Sequence, residues 1–223
     1  MEIYLDTANL TEIKQALAWG ILDGVTTNPT LIAREGRDPQ RHFIDILKLV
    51  YPRPVSLEVV SDGHEDMIRE AEELSKLSDN VVVKIPMTEE GIKAVSILSK
   101  KGIKTNVTLI FTPMQALLAA KAGATYVAPF MGRLDDRGWN GVSLVENIIK
   151  IFRNYNISTK IIAASTRNVR HVLEVSLLGV DIVTMPFRVL VKMFDHPLTV
   201  EGIDRFKKDW QQLQEKLNRD KQI

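Results

Sequence analysis

The sequence predicts an α/β protein, a single (β/α)8 TIM barrel with an additional C-terminal amphipathic helix, and three observations lead to that prediction. Short β-branched runs recur about eight times in 223 residues, and each precedes a longer segment of helical period. No Ser/Pro/Gly-rich linker or low-complexity segment interrupts this repeat, so we expect one domain over residues 1–223. A further amphipathic segment, residues 199–220, follows the last repeat.

The predicted strands are short, and most of them carry polar residues near the carboxyl end. They are the runs IYLDT, GVTTN, VSLEVV, VVVKIP, KTNVTLI, YVAPF, KIIAAST and DIVTMP. Amphipathic helices are expected between them, for example over residues 62–77 and 89–100. A doubly wound open sheet is the alternative, but it would need a phosphate loop after its first strand, and neither G-x-G-x-x-G nor the Walker pattern occurs.

The composition excludes several classes of protein. Lys and Arg number 29 against 28 Asp and Glu, and the two signs are interspersed, which argues against nucleic-acid binding. No uncharged apolar run could span a bilayer, and the N-terminal MEIYLDTAN carries acids where a signal peptide would be apolar. The absence of cysteine excludes disulfides and thiolate metal sites. We therefore expect a soluble, cytoplasmic protein, in which any anionic ligand must be small and locally held.

One lysine, Lys84, lies within the apolar run NVVVKIPMT. Burial disfavours the charged form of a lysine, so its place in a strand needs an explanation. One interpretation is an edge strand whose lysine reaches water. The other is an amine that is neutral enough to attack a carbonyl group.

Polar residues near the strand ends are two apart, and they therefore share one face of each strand. The pairs are Tyr4 and Asp6, Thr26 and Asn28, Ser56 and Glu58, Val82 and Lys84, Asn106 and Thr108, Ala128 and Phe130, and Ser165 and Arg167. Single residues have simpler explanations: Asp6 and Asn28 as helix caps, Thr108 as a local backbone partner. Together, a lysine and two carboxylates in one barrel mouth indicate imine chemistry.

A second cluster predicts an anion site. Ser165, Thr166 and Arg167 follow the seventh strand and are expected to open a helix, where backbone N–H groups favour phosphate. Arg133, after the sixth strand, can reach the same rim, although it could also be a solvated loop charge. Barrel enzymes commonly bind phosphate after their later strands, so this location is the one expected for a sugar-phosphate substrate.

No metal site is predicted. The four histidines lack H-x-x-x-H spacing and are interpreted as surface or packing residues. Asp135 and Asp136, in GRLDDRG, are interpreted as a solvated loop rather than a cation site.

The motifs LDTAN, GVTTNPTLI, VVVKIP, NVTLIFT, YVAPFMGR and AASTRN, in this order, resemble the transaldolase family. The resemblance covers nearly the whole chain and is to the short subfamily that also contains the fructose-6-phosphate aldolases. It implies a (β/α)8 barrel that moves a dihydroxyacetone unit between sugars in the pentose phosphate pathway, without metal or organic cofactor. It also implies that Lys84 is the imine-forming lysine.

The resemblance assigns roles to further residues. Asp6 would be the acid/base for cleavage, and Glu58 with Thr108 would hold the catalytic water. The other matched positions would bind substrate, and they are Thr26, Asn28 and Asn106 for the donor hydroxyls and Arg133, Ser165 and Arg167 for the phosphate. Ala128 departs from the larger transaldolases, which carry a serine there.

Two activities remain open for this site. A transaldolase would pass the fragment from sedoheptulose 7-phosphate or fructose 6-phosphate to glyceraldehyde 3-phosphate or erythrose 4-phosphate. A fructose-6-phosphate aldolase would release free dihydroxyacetone, and a non-catalytic phosphosugar-binding barrel is a third reading. In the resembled family the transferases pair glutamate with phenylalanine at the positions of Glu58 and Phe130, whereas the aldolases carry glutamine and tyrosine. The pair in this sequence favours transfer.

The terminal segment carries apolar residues spaced by three and four. They are Ile203, Phe206, Trp210, Leu213 and Leu217. This stripe could lie against its own barrel or form a contact between subunits. The resemblance implies a homo-oligomer, a ring of five that is often paired into ten.

Overall fold

The computed structural model describes residues 1–220 and contains a closed barrel of eight parallel strands, in the order β1 to β8. The strands are β1 (Glu2–Asp6), β2 (Gly24–Thr26), β3 (Val55–Glu58), β4 (Val81–Pro86), β5 (Thr105–Ile110), β6 (Tyr126–Pro129), β7 (Lys160–Ala163) and β8 (Ile182–Met185). Seven fall within their predicted runs, and β1 begins one residue before its run, so the predicted barrel is confirmed and the open sheet is excluded.

Helices connect the strands and continue after the last one. They are α1 (Leu10–Ala18), α2 (Pro29–Arg34), α3 (Pro39–Val50), α4 (His64–Ser75), α5 (Glu89–Lys100), α6 (Pro113–Lys121), α7 (Met131–Asp135), α8 (Gly141–Asn154), α9 (Val169–Leu178), α10 (Phe187–Lys192) and α11 (Pro197–Asp220). Many begin with a side chain that accepts backbone N–H groups, which stabilises the first turn. These caps are Asn9, Asn28, Asp38, Thr88, Thr112, Asn140 and Asn168.

The barrel interior is filled below the level of Asp6 by an apolar cluster. Tyr4 is its largest member, and it packs with Ala128, Ile162, Ala164 and Ile182. The ring crosses Gly24 on β2 so closely that a Cβ atom there would lie 2.6 Å from it, so only glycine fits. The Tyr4 hydroxyl donates a hydrogen bond to Glu2 (3.1 Å), and burial raises the pKa of Tyr4, so it stays a neutral donor. This cluster closes the bottom of the barrel.

The chain divides into two compact units, where the sequence predicts one domain with an appended helix. The first, Met1–Val189, contains the whole barrel, and the second begins at Leu190. The second unit contains α11, which begins two residues earlier than the segment expected from the sequence. The side chains of its apolar stripe are exposed, with Phe206 at 66% and Trp210 at 61%. None of the helices in residues 1–220 is both long and apolar enough to cross a membrane.

Candidate active site

A cavity of about 260 Å³ opens at the carboxyl ends of the barrel strands. Most of the residues predicted for the site line it, which the strand parity explains. They are Asp6, Thr26, Asn28, Lys84, Asn106, Phe130, Arg133, Ser165 and Arg167. The structure therefore brings together side chains from six different strands or their following loops.

Lys84 lies at the centre of this arrangement. On adjacent strands it pairs in register with Glu58 on β3 and with Asn106 on β5. Its Nζ atom is 3.1 Å from Glu58 Oε2 and donates a hydrogen bond to the Thr27 carbonyl oxygen, also at 3.1 Å. The residue is only 4% exposed, and a closed barrel has no edge strand. The edge-strand interpretation of Lys84 is therefore wrong.

Two buried polar groups beside the lysine lack partners among the described residues. They are the Thr108 hydroxyl and the Asn106 Oδ1 atom, and both residues are fully buried on β5. A buried polar group without a partner costs about 1–3 kcal/mol, which is unusual in a core. Thr108 thus does not serve as a local backbone partner. Asn106 lines the cavity, so its Oδ1 atom is available to a ligand, whereas Thr108 and Glu58 are not among the residues that line it.

Ser56 belongs to this region, although it was not among the predicted site residues. The Asn106 Nδ2 atom donates to the Ser56 hydroxyl at 3.3 Å, and this contact turns Oδ1 the other way. The signal for Ser56 was its shared strand face with Glu58, two residues later.

Asp6 is partly buried and lines the cavity wall on β1. The Thr26 hydroxyl donates to Asp6 Oδ1 at 2.9 Å and lies 2.6 Å from the hydroxyl of Thr184 on β8. Burial raises the pKa of Asp6 above its ordinary value, against the opposing effects of Lys84, the Thr26 hydrogen bond and Arg133. Asp6 does not cap a helix, because Asn9 caps α1.

Asn28 combines two roles that the sequence offered as alternatives. Its Oδ1 atom accepts a hydrogen bond from the Leu31 backbone N–H at 3.0 Å and so caps α2. Its side chain also lines the cavity, so the amide nitrogen can donate to a ligand.

The basic side of the cavity contains Arg133 and Arg167. The Arg133 guanidinium lies over the Phe130 ring at 4.9 Å in a cation–π contact, and the residue is exposed on α7 rather than in a loop. Arg167 forms an ion pair with Asp136 at 2.6 Å. Asp136 is thus an exposed partner of the basic side.

Ser165, Thr166 and Arg167 do not open a helix as predicted. β7 ends at Ala163, and α9 begins only at Val169, where Asn168 supplies the cap. Ser165 has a left-handed backbone (φ 59°), and its carbonyl oxygen accepts the Gly132 N–H at 3.1 Å. The loop therefore folds back onto the start of α7 and carries Arg167 beside Arg133 at the cavity rim.

The histidines have packing or ion-pair roles. His42 is buried, and its Nε2 atom lies 2.7 Å from the Ala8 carbonyl oxygen. His64 pairs with Glu90, and His171 with Asp135 at 3.2 Å. Within residues 1–220, no three His, Asp or Glu side chains form a group that could hold a metal ion.

A parallel barrel with a buried lysine between a carboxylate and an amide, below a basic rim, defines an enzyme-type site for small anionic substrates. The chain belongs to the transaldolase/fructose-6-phosphate aldolase family, whose family model matches residues 3–217.

Similar curated proteins carry the name "Probable transaldolase". The one from Kosmotoga olearia is 59% identical and covers 95% of this chain and 97% of its own length. The one from Petrotoga mobilis is 57% identical, over 97% and 98%. The one from Caldicellulosiruptor saccharolyticus is 58% identical, over 97% and 100%.

Among solved structures, one from Coccidioides immitis, assigned as a fructose-1,6-biphosphate aldolase, superposes with a TM-score of 0.59. It is 16% identical and covers 82% of this chain and 72% of its own, and at this identity the similarity concerns the fold alone.

Proposed function

We propose that the protein is a transaldolase of the pentose phosphate pathway. It would move a dihydroxyacetone unit from sedoheptulose 7-phosphate or fructose 6-phosphate to glyceraldehyde 3-phosphate or erythrose 4-phosphate. The observation that carries this proposal is the buried Lys84 amine, held at 3.1 Å from Glu58 in a cavity that Asp6 also lines. The names of the similar curated proteins support it.

The covalent step begins at Lys84. Its neutral amine attacks the ketone carbon of the donor, and the resulting carbinolamine loses its oxygen as water to give an iminium ion. Glu58 and Thr108 would hold the water that carries protons in this dehydration. The unpaired Thr108 hydroxyl supports that role, because it is a buried group still in need of a partner.

Carbon–carbon cleavage then uses Asp6 as the base. Asp6 takes the proton of the C4 hydroxyl, the C3–C4 electron pair moves toward the iminium nitrogen, and an aldose phosphate leaves. The retained enamine attacks the acceptor aldehyde, and Asp6 returns its proton to the new alkoxide. Burial raises the pKa of the Asp6 carboxyl, and a carboxyl with a raised pKa is suited both to take this proton and to return it.

The basic rim supports a phosphorylated substrate. Arg133, Ser165 and Arg167 would bind the terminal phosphate, while Asn28, Asn106 and Thr26 would contact donor hydroxyls. The activity requires no metal or organic cofactor. We further propose a cytoplasmic homo-oligomer, a pentamer or decamer.

A fructose-6-phosphate aldolase is the second candidate, since the family includes both activities. Phe130 favours transfer, because its ring lies 5.9 Å from Lys84 Nζ and offers no proton to the retained fragment. A coupled assay that compares transfer to erythrose 4-phosphate with release of dihydroxyacetone tests this choice. Release as fast as transfer would replace the transaldolase proposal by the aldolase one.

Borohydride trapping tests the lysine. Incubation with fructose 6-phosphate and borohydride should fix a three-carbon adduct on Lys84, located by peptide mass analysis. Lys84→Ala should lose both the adduct and transfer, because among residues 1–220 no other lysine lines the cavity. Lys104→Ala, an exposed lysine just before β5, is the matched control and should keep both. A label on another lysine would overturn the assignment.

A further inference from the structure

We propose that Thr184 is a positioning residue for Asp6 and acts through the hydroxyl of Thr26. The proposal rests on the proposed function, in which Asp6 is the acid/base. Thr184 lies on β8, is 3% exposed and lines the same cavity. Its hydroxyl is 2.6 Å from that of Thr26, which in turn donates to Asp6 at 2.9 Å. Three oxygen atoms thus form a chain between β8, β2 and β1.

The number of hydroxyl protons determines which group donates and which group accepts along this chain. An ionised Asp6 can only accept hydrogen bonds, so Thr26 donates its single hydroxyl proton to Asp6. Thr184 must then donate its own proton to Thr26. When Asp6 takes a proton from the substrate, the chain can reverse, with Asp6 donating to Thr26 and Thr26 to Thr184. Both protonation states of Asp6 therefore keep the two hydrogen bonds of the chain.

The chain also favours the ionised carboxylate. A hydroxyl that accepts a hydrogen bond donates a stronger one, so Thr184 strengthens the contact from Thr26 to Asp6. This effect opposes the rise in the pKa of Asp6 that burial causes. The backbone of Thr184 is fixed as well, because its carbonyl oxygen accepts the Thr166 hydroxyl at 2.9 Å. A hydroxyl at position 184 thus holds Asp6 in the orientation and charge state needed for proton removal.

Other charged groups also face Asp6, from the active-site cavity and from a neighbouring cavity of about 270 Å³ that Asp6 lines as well. They are Arg34, Lys84, Arg133 and Arg167 in the first, and Glu12, Arg34, Glu35 and Arg188 in the second. A substitution at Thr184 changes none of them, so a change in pH dependence reports the hydroxyl chain.

The test compares Thr184→Val, which keeps the branched shape, with Thr184→Ser, which keeps the hydroxyl. In Thr184→Val the ionised Asp6 loses support, so its pKa rises. The acidic limb of the kcat/KM profile for transfer should therefore move to higher pH by about half a pH unit. At neutral pH kcat should fall about tenfold, with a smaller change in KM. Thr184→Ser should restore the wild-type profile.

Thr159→Val is the matched control. Thr159 is also buried and donates to the Ala124 carbonyl oxygen at 2.8 Å, but it does not line the active-site cavity. It should lower stability without moving the pH limb. If Thr184→Val does not fold, Thr184→Ala against Thr184→Ser gives the same comparison.

A third measurement separates this proposal from the proposed function. Trapping with dihydroxyacetone needs no carbon–carbon cleavage, so Thr184→Val should form the Lys84 adduct at the wild-type rate. Failure of the wild type to form any adduct would overturn the proposed function itself. Normal trapping together with an unshifted pH limb in Thr184→Val would overturn the positioning role alone.

Discussion

At the scale of single residues, Phe130 is the side chain on which the proposed preference for transfer depends. Its ring contacts Arg133 on one side and Phe111, edge to face at 6.0 Å, on another. No atom of this ring can donate a proton, so in the proposed mechanism the enamine would wait for an aldehyde.

Phe130→Tyr should therefore raise dihydroxyacetone release relative to transfer, because the new hydroxyl can protonate the retained carbon. The measurement is the ratio of the two rates with fructose 6-phosphate, with and without erythrose 4-phosphate. Phe111→Tyr makes the same change on the neighbouring ring and should leave the ratio near wild type. An unchanged ratio in Phe130→Tyr would contradict the role given to this side chain.

The two arginines of the rim should affect only the binding of the substrate's phosphate group. For Arg133→Ala and Arg167→Ala we expect KM for fructose 6-phosphate to rise roughly tenfold to a hundredfold, because each loses a charge-assisted hydrogen bond. Fructose lacks the phosphate and should be affected much less. Arg170→Ala removes an exposed arginine paired with Glu174 and serves as the control. An equal loss for both sugars would remove these arginines from the phosphate site.

The sequence patterns predicted the side chains that line the cavity more accurately than they predicted which side chains contact each other. Lys84 was recognisable because a charge inside an apolar strand is costly. The pairing of Asp136 with Arg167 was not, since it joins residues 31 positions apart in two loops. Thr184 was also missed: threonine is an ordinary strand residue, and its contact with Thr26 spans 158 positions.

At the scale of elements, α4 and α5 are joined at their first turns by Glu90. Its carboxylate accepts hydrogen bonds from Lys93, from the His64 ring and from the His64 backbone N–H. These helices follow β3 and β4, the strands of Glu58 and Lys84. The contact therefore links the helices that follow the strands of these two residues.

Glu90 should make stability depend on pH at the acidic end. The hydrogen bond from Lys93 and those from His64 lower its pKa from 4.5 to about 2. Because the pKa of Glu90 is lowered in the folded state, its carboxylate stabilises that state at pH values above the ordinary pKa of about 4.5. This contribution is lost as the pH falls from about 4.5 toward 2. Urea unfolding at several pH values should show Glu90→Gln less stable than wild type near pH 7, with the difference shrinking below pH 4.

Glu89→Gln is the neighbouring control, because Glu89 contacts Lys93 at the longer distance of 3.3 Å and does not bind His64. A constant difference between Glu90→Gln and wild type from pH 3 to 7 would refute the electrostatic explanation.

Most element positions followed from the sequence, and the exceptions have a local cause. The pattern predicted α5 to the residue, because Thr88 caps it and its apolar period is regular. The start of α9 was misplaced, because the left-handed Ser165 delays the helix until Asn168 can cap it. A serine in a sequence does not indicate a left-handed backbone conformation.

At the scale of the whole molecule, the stripe on α11 predicts assembly. Its aromatic members, Phe206 and Trp210, are more than half exposed, and large exposed apolar side chains in one row favour contact with another chain. Removal of residues 197–223 should lower the particle mass in light scattering. A folded truncation of unchanged mass would contradict the proposed role of the helix.

A point variant makes the same test without shortening the chain. Phe206→Glu should also lower the mass, because it introduces a charge into the stripe. Lys208→Glu changes the charge on the opposite side of the helix and should leave the mass unchanged. The sequence alone could not decide between a core stripe and a contact between subunits, because both have the same period.

The apolar cluster around Tyr4 closes one end of the barrel, so the cavity has its opening at the other. The first aldose phosphate must then leave by the path through which the second one enters. In the proposed mechanism the first aldose phosphate therefore leaves before the second one binds, and in that interval only the three-carbon fragment would remain on the enzyme. Initial rates with both substrates varied should therefore give parallel double-reciprocal lines, and each acceptor should compete with the donor at high concentration.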